Sequence, residues 1–231
     1  MASGWSTSPE GDSTGPRQEE VAESEVTPSG TWLRERLRRW LRPARAAAKR
    51  ILAAANQAVH PLRRYRAVRI LRREASPSSV LFLCHGNICR SPYAEGALRR
   101  ELSPATCDGI RTDSAGFIGP GRESPPEAIN AALERSVDLS EHRSKVLDEV
   151  SLESVDVIFV MDSGQRSKVR RRVPEATVLV LGDLDSVRAD RRRIRDPVMQ
   201  PIEVFRAVYD RIDRCVNTVA DQFDVKEAIS E

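Results

Sequence analysis

The sequence predicts an α/β fold: a four-stranded parallel sheet with helices on both faces, preceded by an N-terminal extension that is first disordered and then helical. Three observations carry this expectation. From Val80 onward, short apolar runs alternate with amphipathic helical patterns, as βαβ crossovers require. The charge falls into three unlike blocks, −5 over residues 1–30, +12 over 31–75 and −4 over 76–231, which sets an extension apart from a domain. The remaining stretch of about 150 residues is a comfortable size for one such domain.

Taken in order, residues 1–30 are Ser, Gly, Pro and Glu around a single Trp5. They cannot bury enough apolar area to offset the entropy of ordering, so a disordered acidic tail is expected. Residues 31–78 form a basic amphipathic helical extension. Trp32, Leu33, Leu37, Trp40 and Leu41 recur at three- and four-residue spacing, while Arg34, Arg38, Arg42 and Arg45 line another face. Pro43 is expected to kink or restart the helix, and a second helical stretch over 46–59 should end at Pro61. His60 then reads as a linker residue. The arginines at 63, 64, 66, 69, 72 and 73 follow, and a Ser-Pro-Ser-Ser linker occupies 76–79.

Within the domain, 79–231, strands are predicted at 80–83, 155–161 and 177–181, with a weaker one near 110–112. Helical patterns fall at 92–102, 126–135, 164–172 and 201–223. Ligands of such sheets bind beyond the carboxyl ends of the strands. No run approaches the ~18 consecutive apolar residues of a membrane span, and no basic start precedes an apolar stretch. Four cysteines, Cys84, Cys89, Cys107 and Cys215, do not make a disulfide framework in a chain of 231 residues. A soluble protein of a reducing compartment, the cytoplasm, is expected.

The first strand runs into Cys84-His85-Gly86-Asn87-Ile88-Cys89-Arg90-Ser91, and Pro92 sits where a helix opens. The backbone N–H groups of a tight loop at a helix N-terminus form an anion nest. Gly86 and Asn87 tolerate the left-handed backbone that a nest requires. Arg90 can hold two phosphate oxygens bidentately. Positive surroundings favour thiolate over thiol, so Cys84 is the candidate nucleophile, and Ser91 can donate to its sulfur. The plain alternative for Cys84, a small apolar filler at a strand end, suits a bare Cys-x5-Arg spacing better than it suits the complete string.

This string resembles the active-site loop of the low-molecular-weight protein tyrosine phosphatases, Cys-x-Gly-Asn-Ile-Cys-Arg-Ser-Pro, at every fixed position over 84–92. The resemblance extends over roughly 79–225. It implies hydrolysis of phosphotyrosine on protein through a phosphocysteine, with residues 85–91 (His85, Gly86, Asn87, Ile88, Cys89, Arg90 and Ser91) binding phosphate. Asp113-Ser114-Ala115-Gly116 resembles the segment whose Ser braces the loop. Leu139-Ser140-x-His142-Arg143-Ser144 resembles the one whose His bonds to the loop Asn and Ser, here Asn87 and Ser91. Met161-Asp162 looks like the family's acidic strand end. The resemblance makes Asp196, in Asp196-Pro197, the acid that protonates the departing oxygen and then activates water. It makes Cys89 the thiol that captures oxidised Cys84 as a disulfide, although a packed small residue is the plain alternative.

Where family members place an aromatic residue after the Asp-Pro pair, this chain has Val198 and Met199, which bears on its preference for aryl substrates. Phe117 is expected either to stack on a substrate ring or to belong to the core. Arg122, Arg188, Arg191, Arg192, Arg193 and Arg195 read as a solvated basic surface that can attract acidic peptides. Arsenate reduction, known on the same fold, needs a cysteine relay that Cys107 and Cys215 do not supply by position. Arginine phosphatases generally carry Thr where this loop has Ile88, so arginine phosphatase is the lesser alternative. A scaffold that uses the loop only for binding is the rival from another class. No cofactor is expected, since no zinc signature occurs. Partners expected are a phosphotyrosine protein such as a tyrosine kinase, and an anionic membrane surface against residues 31–73. Nucleic acid is disfavoured because no recognisable module is present.

Overall fold

The computed structural model describes residues 31–74, 77–150 and 152–230. The predicted acidic tail, 1–30, lies outside the described residues. The chain divides into two compact units, Met1–Ala46 and Ala47–Glu231.

In the first unit, α1 (Thr31–Trp40) ends just before Pro43, and α2 (Arg42–Arg73) restarts there. Leu37 and Trp40 are exposed. Pro61 does not end the helix: α2 runs through it for 32 residues. The reason is tertiary. His60, Ala67 and Leu71 are buried against the domain on either side of the proline, Arg72 Nε donates to Gln222 Oε1 (2.9 Å), and Thr177 Oγ1 donates to Glu74 Oε1 (2.6 Å). Burial at those anchors outweighs one missing backbone bond. The second compact unit begins inside α2, at Ala47.

The second unit holds β1 (Ser79–Cys84), α3 (Arg90–Glu101), α4 (Pro104–Gly109), β2 (Arg111–Gly116), α5 (Pro126–Leu133), β3 (Val157–Val160), α6 (Ser163–Arg172), β4 (Thr177–Val180) and α7 (Ile202–Ser230). The four strands form one parallel sheet in the order β2-β1-β3-β4. β1 is buried along its whole length, and its residues divide by alternation. Val80, Phe82 and Cys84 face one core with Phe159, Leu179 and side chains of α3, α5 and α7; Leu81 and Leu83 face another with Ile158, Val160, Val178 and Val169 of α6. Helices thus cover both faces, as a parallel sheet requires. Tyr93 of α3 stacks on Tyr209 of α7, with ring centroids 3.7 Å apart. Since β1 has β2 on one side and β3 on the other, the direction in which strands are added reverses at β1, and the loop after it opens at the switch point.

Candidate active site

Cys84 ends β1, and the backbone turns back beneath it. Asn87 takes φ of 50°, a left-handed conformation that Asn tolerates better than most side chains. This turn aims the Asn87 N–H at Cys84 Sγ (3.2 Å), while Ser91 Oγ donates to the same sulfur from the first turn of α3 (3.0 Å). The helix opens at Arg90, with Pro92 in its first turn. Gly116, paired with Cys84 across β1 and β2, lies against the loop backbone; a Cβ there would sit 2.9 Å from Asn87 N and from the Gly86 carbonyl carbon.

The Asn87 side chain is the hub of the loop. Its Nδ2 donates to Ser91 Oγ and Ser114 Oγ (2.9 Å each), and its Oδ1 accepts from Lys145 N (2.8 Å). Because Ser91 accepts from Asn87, its own proton is left to point at sulfur. Glu95 bonds to Ser114; burial pushes its carboxyl up, against that bond and the charge of Arg99. His142 reaches the loop differently from the expectation. Its Nε2 lies 2.7 Å from the Asn87 backbone carbonyl, and the bond to Ser91 comes from Asn87. Nε2 is therefore the protonated nitrogen, and burial holds the His142 pKa below its ordinary value.

Arg90 is 4% exposed and reaches across the mouth of the loop. Its Nη2 pairs with the Asp196 carboxylate, its Nη1 lies 3.4 Å from the Ile194 carbonyl, and its Nε is buried with no hydrogen-bond partner among the described residues. Asp196 arrives on the segment joining β4 to α7. Ile194 N donates to the Met161 carbonyl at the end of β3 (3.0 Å), which pins that segment over the sheet. Buried Asp183 and Asp185 anchor it from below, taking Arg192, and Arg211 with Arg214, respectively. Asp162 caps α6 by accepting from Gln165 N (2.8 Å).

Several of these residues gave no signal by motif. Arg122, read as surface charge, is a tie: its guanidinium donates to the carbonyls of Gly86 (2.8 Å), Ile118 (3.0 Å) and Gly119 (2.9 Å). Arg192 likewise serves Asp183 rather than solvent. Lys145, which also pairs with Asp113, and Glu95 act on the loop from separate elements, so spacing in sequence could not reveal them. Phe117 is half-buried, packs on the second core and lies under Lys168 Nζ at 5.6 Å. Met199 is 94% exposed. Cys84 and Cys89 are both free thiols and both buried; burial first, then the Cys84 charge, pushes the Cys89 thiol up.

The same architecture recurs in solved phosphatases. A structure of Vibrio vulnificus Wzb bound to benzylphosphonate matches with a TM-score of 0.54 at 28% identity, over 62% of this chain and 97% of that one. By sequence, the chain is 33% identical over 143 residues to the "Probable low molecular weight protein-tyrosine-phosphatase EpsP" of Ralstonia nicotianae, covering 60% of this chain and 91% of the relative. It is 30% identical over 152 residues to a protein-arginine-phosphatase of Geobacillus stearothermophilus, covering 65% and 99%. The family described as low molecular weight phosphotyrosine protein phosphatase matches residues 79–228, the span that contains every strand of the sheet and the whole loop, and the chain belongs to that family.

Proposed function

We propose that this enzyme hydrolyses phosphotyrosine on protein, with Cys84 as nucleophile, Arg90 as phosphate clamp and Asp196 as acid and then base. One observation carries the assignment: Cys84 Sγ receives two donors, from Asn87 N and Ser91 Oγ, at the mouth of a loop whose arginine has a buried Nε without a partner among the described residues and shares a guanidinium arm with Asp196. Donors aimed at the sulfur hold it for attack, and a loop at the N-terminus of α3 offers backbone N–H groups to an incoming phosphate. A phosphate in the loop takes the guanidinium as a bidentate partner and satisfies Arg90 Nε. Asp196, released from that pair, takes up a proton and gives it to the tyrosyl oxygen as Sγ bonds to phosphorus and the P–O bond to tyrosine breaks. In the second step it removes a proton from the attacking water, and the Ser91 hydroxyl eases departure of the thiolate.

Ile88, half-buried at the loop, favours an apolar aryl group over a guanidinium, which supports phosphotyrosine above phosphoarginine. The test is turnover of p-nitrophenyl phosphate and of a peptide panel carrying phosphotyrosine, phosphoserine or phosphoarginine. Hydrolysis of the tyrosine peptide, abolished by Cys84→Ser, is the expected result; preference for the arginine peptide would replace the substrate, and an inactive wild type would leave only a binding role. The natural substrate fits a tyrosine kinase, and an anionic bilayer fits the extension. Leu37, Trp40, Ile51 and Leu52 are exposed among Arg34, Arg36, Arg39, Lys49 and Arg50, a composition suited to the lipid interface of a cytoplasmic protein. Should Cys84 be oxidised, Cys89 is the neighbouring thiol that closes a disulfide and spares it further oxidation.

A further inference from the structure

His60, which the sequence marks only as a linker residue, is 3% exposed on α2, and its Nε2 has no hydrogen-bond partner among the described residues. One turn further on, Arg64 Nε is also buried without a partner; its Nη2 reaches Thr218 Oγ1 at 3.4 Å. Both side chains line one cavity of about 460 Å3, together with Tyr65, Arg72, Ser186 and Arg188. The lining contains three guanidinium groups, an imidazole and two hydroxyls, and no carboxylate.

Several of its other half-buried arginines meet acids, Arg90 with Asp196, Arg192 with Asp183, Arg211 and Arg214 with Asp185, and Arg135 with Asp210, while Arg122 is taken up by three carbonyls. The two acids near His60, Asp183 and Asp185, are committed to those pairs. Arg64, Arg72 and Arg188 make no ion pair among the described residues, and Arg72 spends only its Nε, on Gln222. The His60 imidazole already bonds the Gly182 backbone, so the buried donor left over is Arg64 Nε; that donor and three like charges around one cavity are both unfavourable, and one multivalent anion relieves both. Phosphate fits the donor set, since guanidinium forks match its oxygens.

We propose that this cavity is a second anion site, which holds the phosphate group of a ligand and shares no residue with the Cys84 loop. Ser186 and Arg188 belong to the segment that carries Asp196, so a phosphate held there ties that segment to α2.

Calorimetric titration of the full chain tests the site. Inorganic phosphate should bind at two equivalents in wild type and at one in Arg90→Ala, whose loop clamp is gone. Arg64→Ala should weaken the second event roughly tenfold or more. Arg188→Ala, at the exposed rim, should do the same while leaving the fold and p-nitrophenyl phosphate turnover unchanged. Glycerol 3-phosphate and vesicles containing phosphatidic acid identify the source. Arg188-dependent binding of glycerol 3-phosphate at least as tight as that of the vesicles supports a free ligand, and Arg188-dependent binding of the vesicles tighter than that of either soluble phosphate supports a lipid headgroup. A single equivalent in wild type, lost in Arg90→Ala and untouched by Arg188→Ala, would overturn the proposal while leaving the phosphatase reading intact.

Discussion

Asn87 does with one side chain what the loop needs from three: it positions Ser91, engages Ser114, and accepts from the Lys145 backbone. Its backbone contributes a donor to Cys84 and an acceptor to His142. The neutral state of His142 has a measurable consequence. Its folded pKa lies below the unfolded 6.5, so the unfolded chain binds the extra proton as pH falls from 6.5 toward the folded value. Stability therefore rises with pH across that window and levels off above it. Thermal melting between pH 7.5 and 5 should show this slope, and His142→Gln should flatten it; an equal slope in the variant would mean that other groups carry it. At Asp196 the expectation is kinetic. If Asp196 is the acid proposed above, replacing it with Ala should lower kcat by about 10²–10⁴-fold while phosphate still binds through Arg90. Unchanged turnover in steady-state assays would assign the proton to another group.

At the scale of elements, the loop is held by the edges that converge on it rather than by its own length. β2 presents Gly116 so closely that a larger residue must displace the loop: a Cβ would meet the Gly86–Asn87 peptide bond at 2.9 Å, and backbone cannot swing aside as a side chain can. Gly116→Ala should displace the nest by a few tenths of an ångström and cost on the order of 10²-fold in kcat with little loss of secondary structure. Kinetics alongside circular dichroism would show it, and full activity would mean that the loop tolerates the shift. Arg122 braces the opposite side through three carbonyls, a role that basic composition alone disguised as surface charge. Pro61 teaches a similar lesson in reverse. Local propensity stops a helix there, yet anchors at His60, Ala67 and Leu71 carry α2 onward.

At the scale of the whole molecule, the compact unit begins at Ala47, so α2 divides unequally between extension and domain. Removing residues 1–46 should leave the melting temperature and turnover unchanged and weaken co-sedimentation with anionic vesicles. Removing residues 1–74 strips Ala67 and Leu71 from the core and should cost at least about 2–5 kcal/mol, read by denaturant unfolding. Equal stability of the two truncations would exclude α2 from the domain's core. The strands, the helices α3, α5, α6 and α7 and the residues Cys84 to Ser91 were legible because each is local, whereas the short α4 was not foreseen: alternation, amphipathic spacing and one contiguous string write themselves along the chain. Asp196 was legible only through its Asp-Pro pair. Lys145, Glu95, Arg122 and the buried face of His60 were not, because their partners lie on other elements, and no spacing in sequence encodes a distance closed by folding. Local pattern was enough to foresee the sheet and the Cys84 loop, whereas which charged side chains turn inward depended on packing, since an arginine is surface or strut according to the carbonyls and carboxylates brought within its reach.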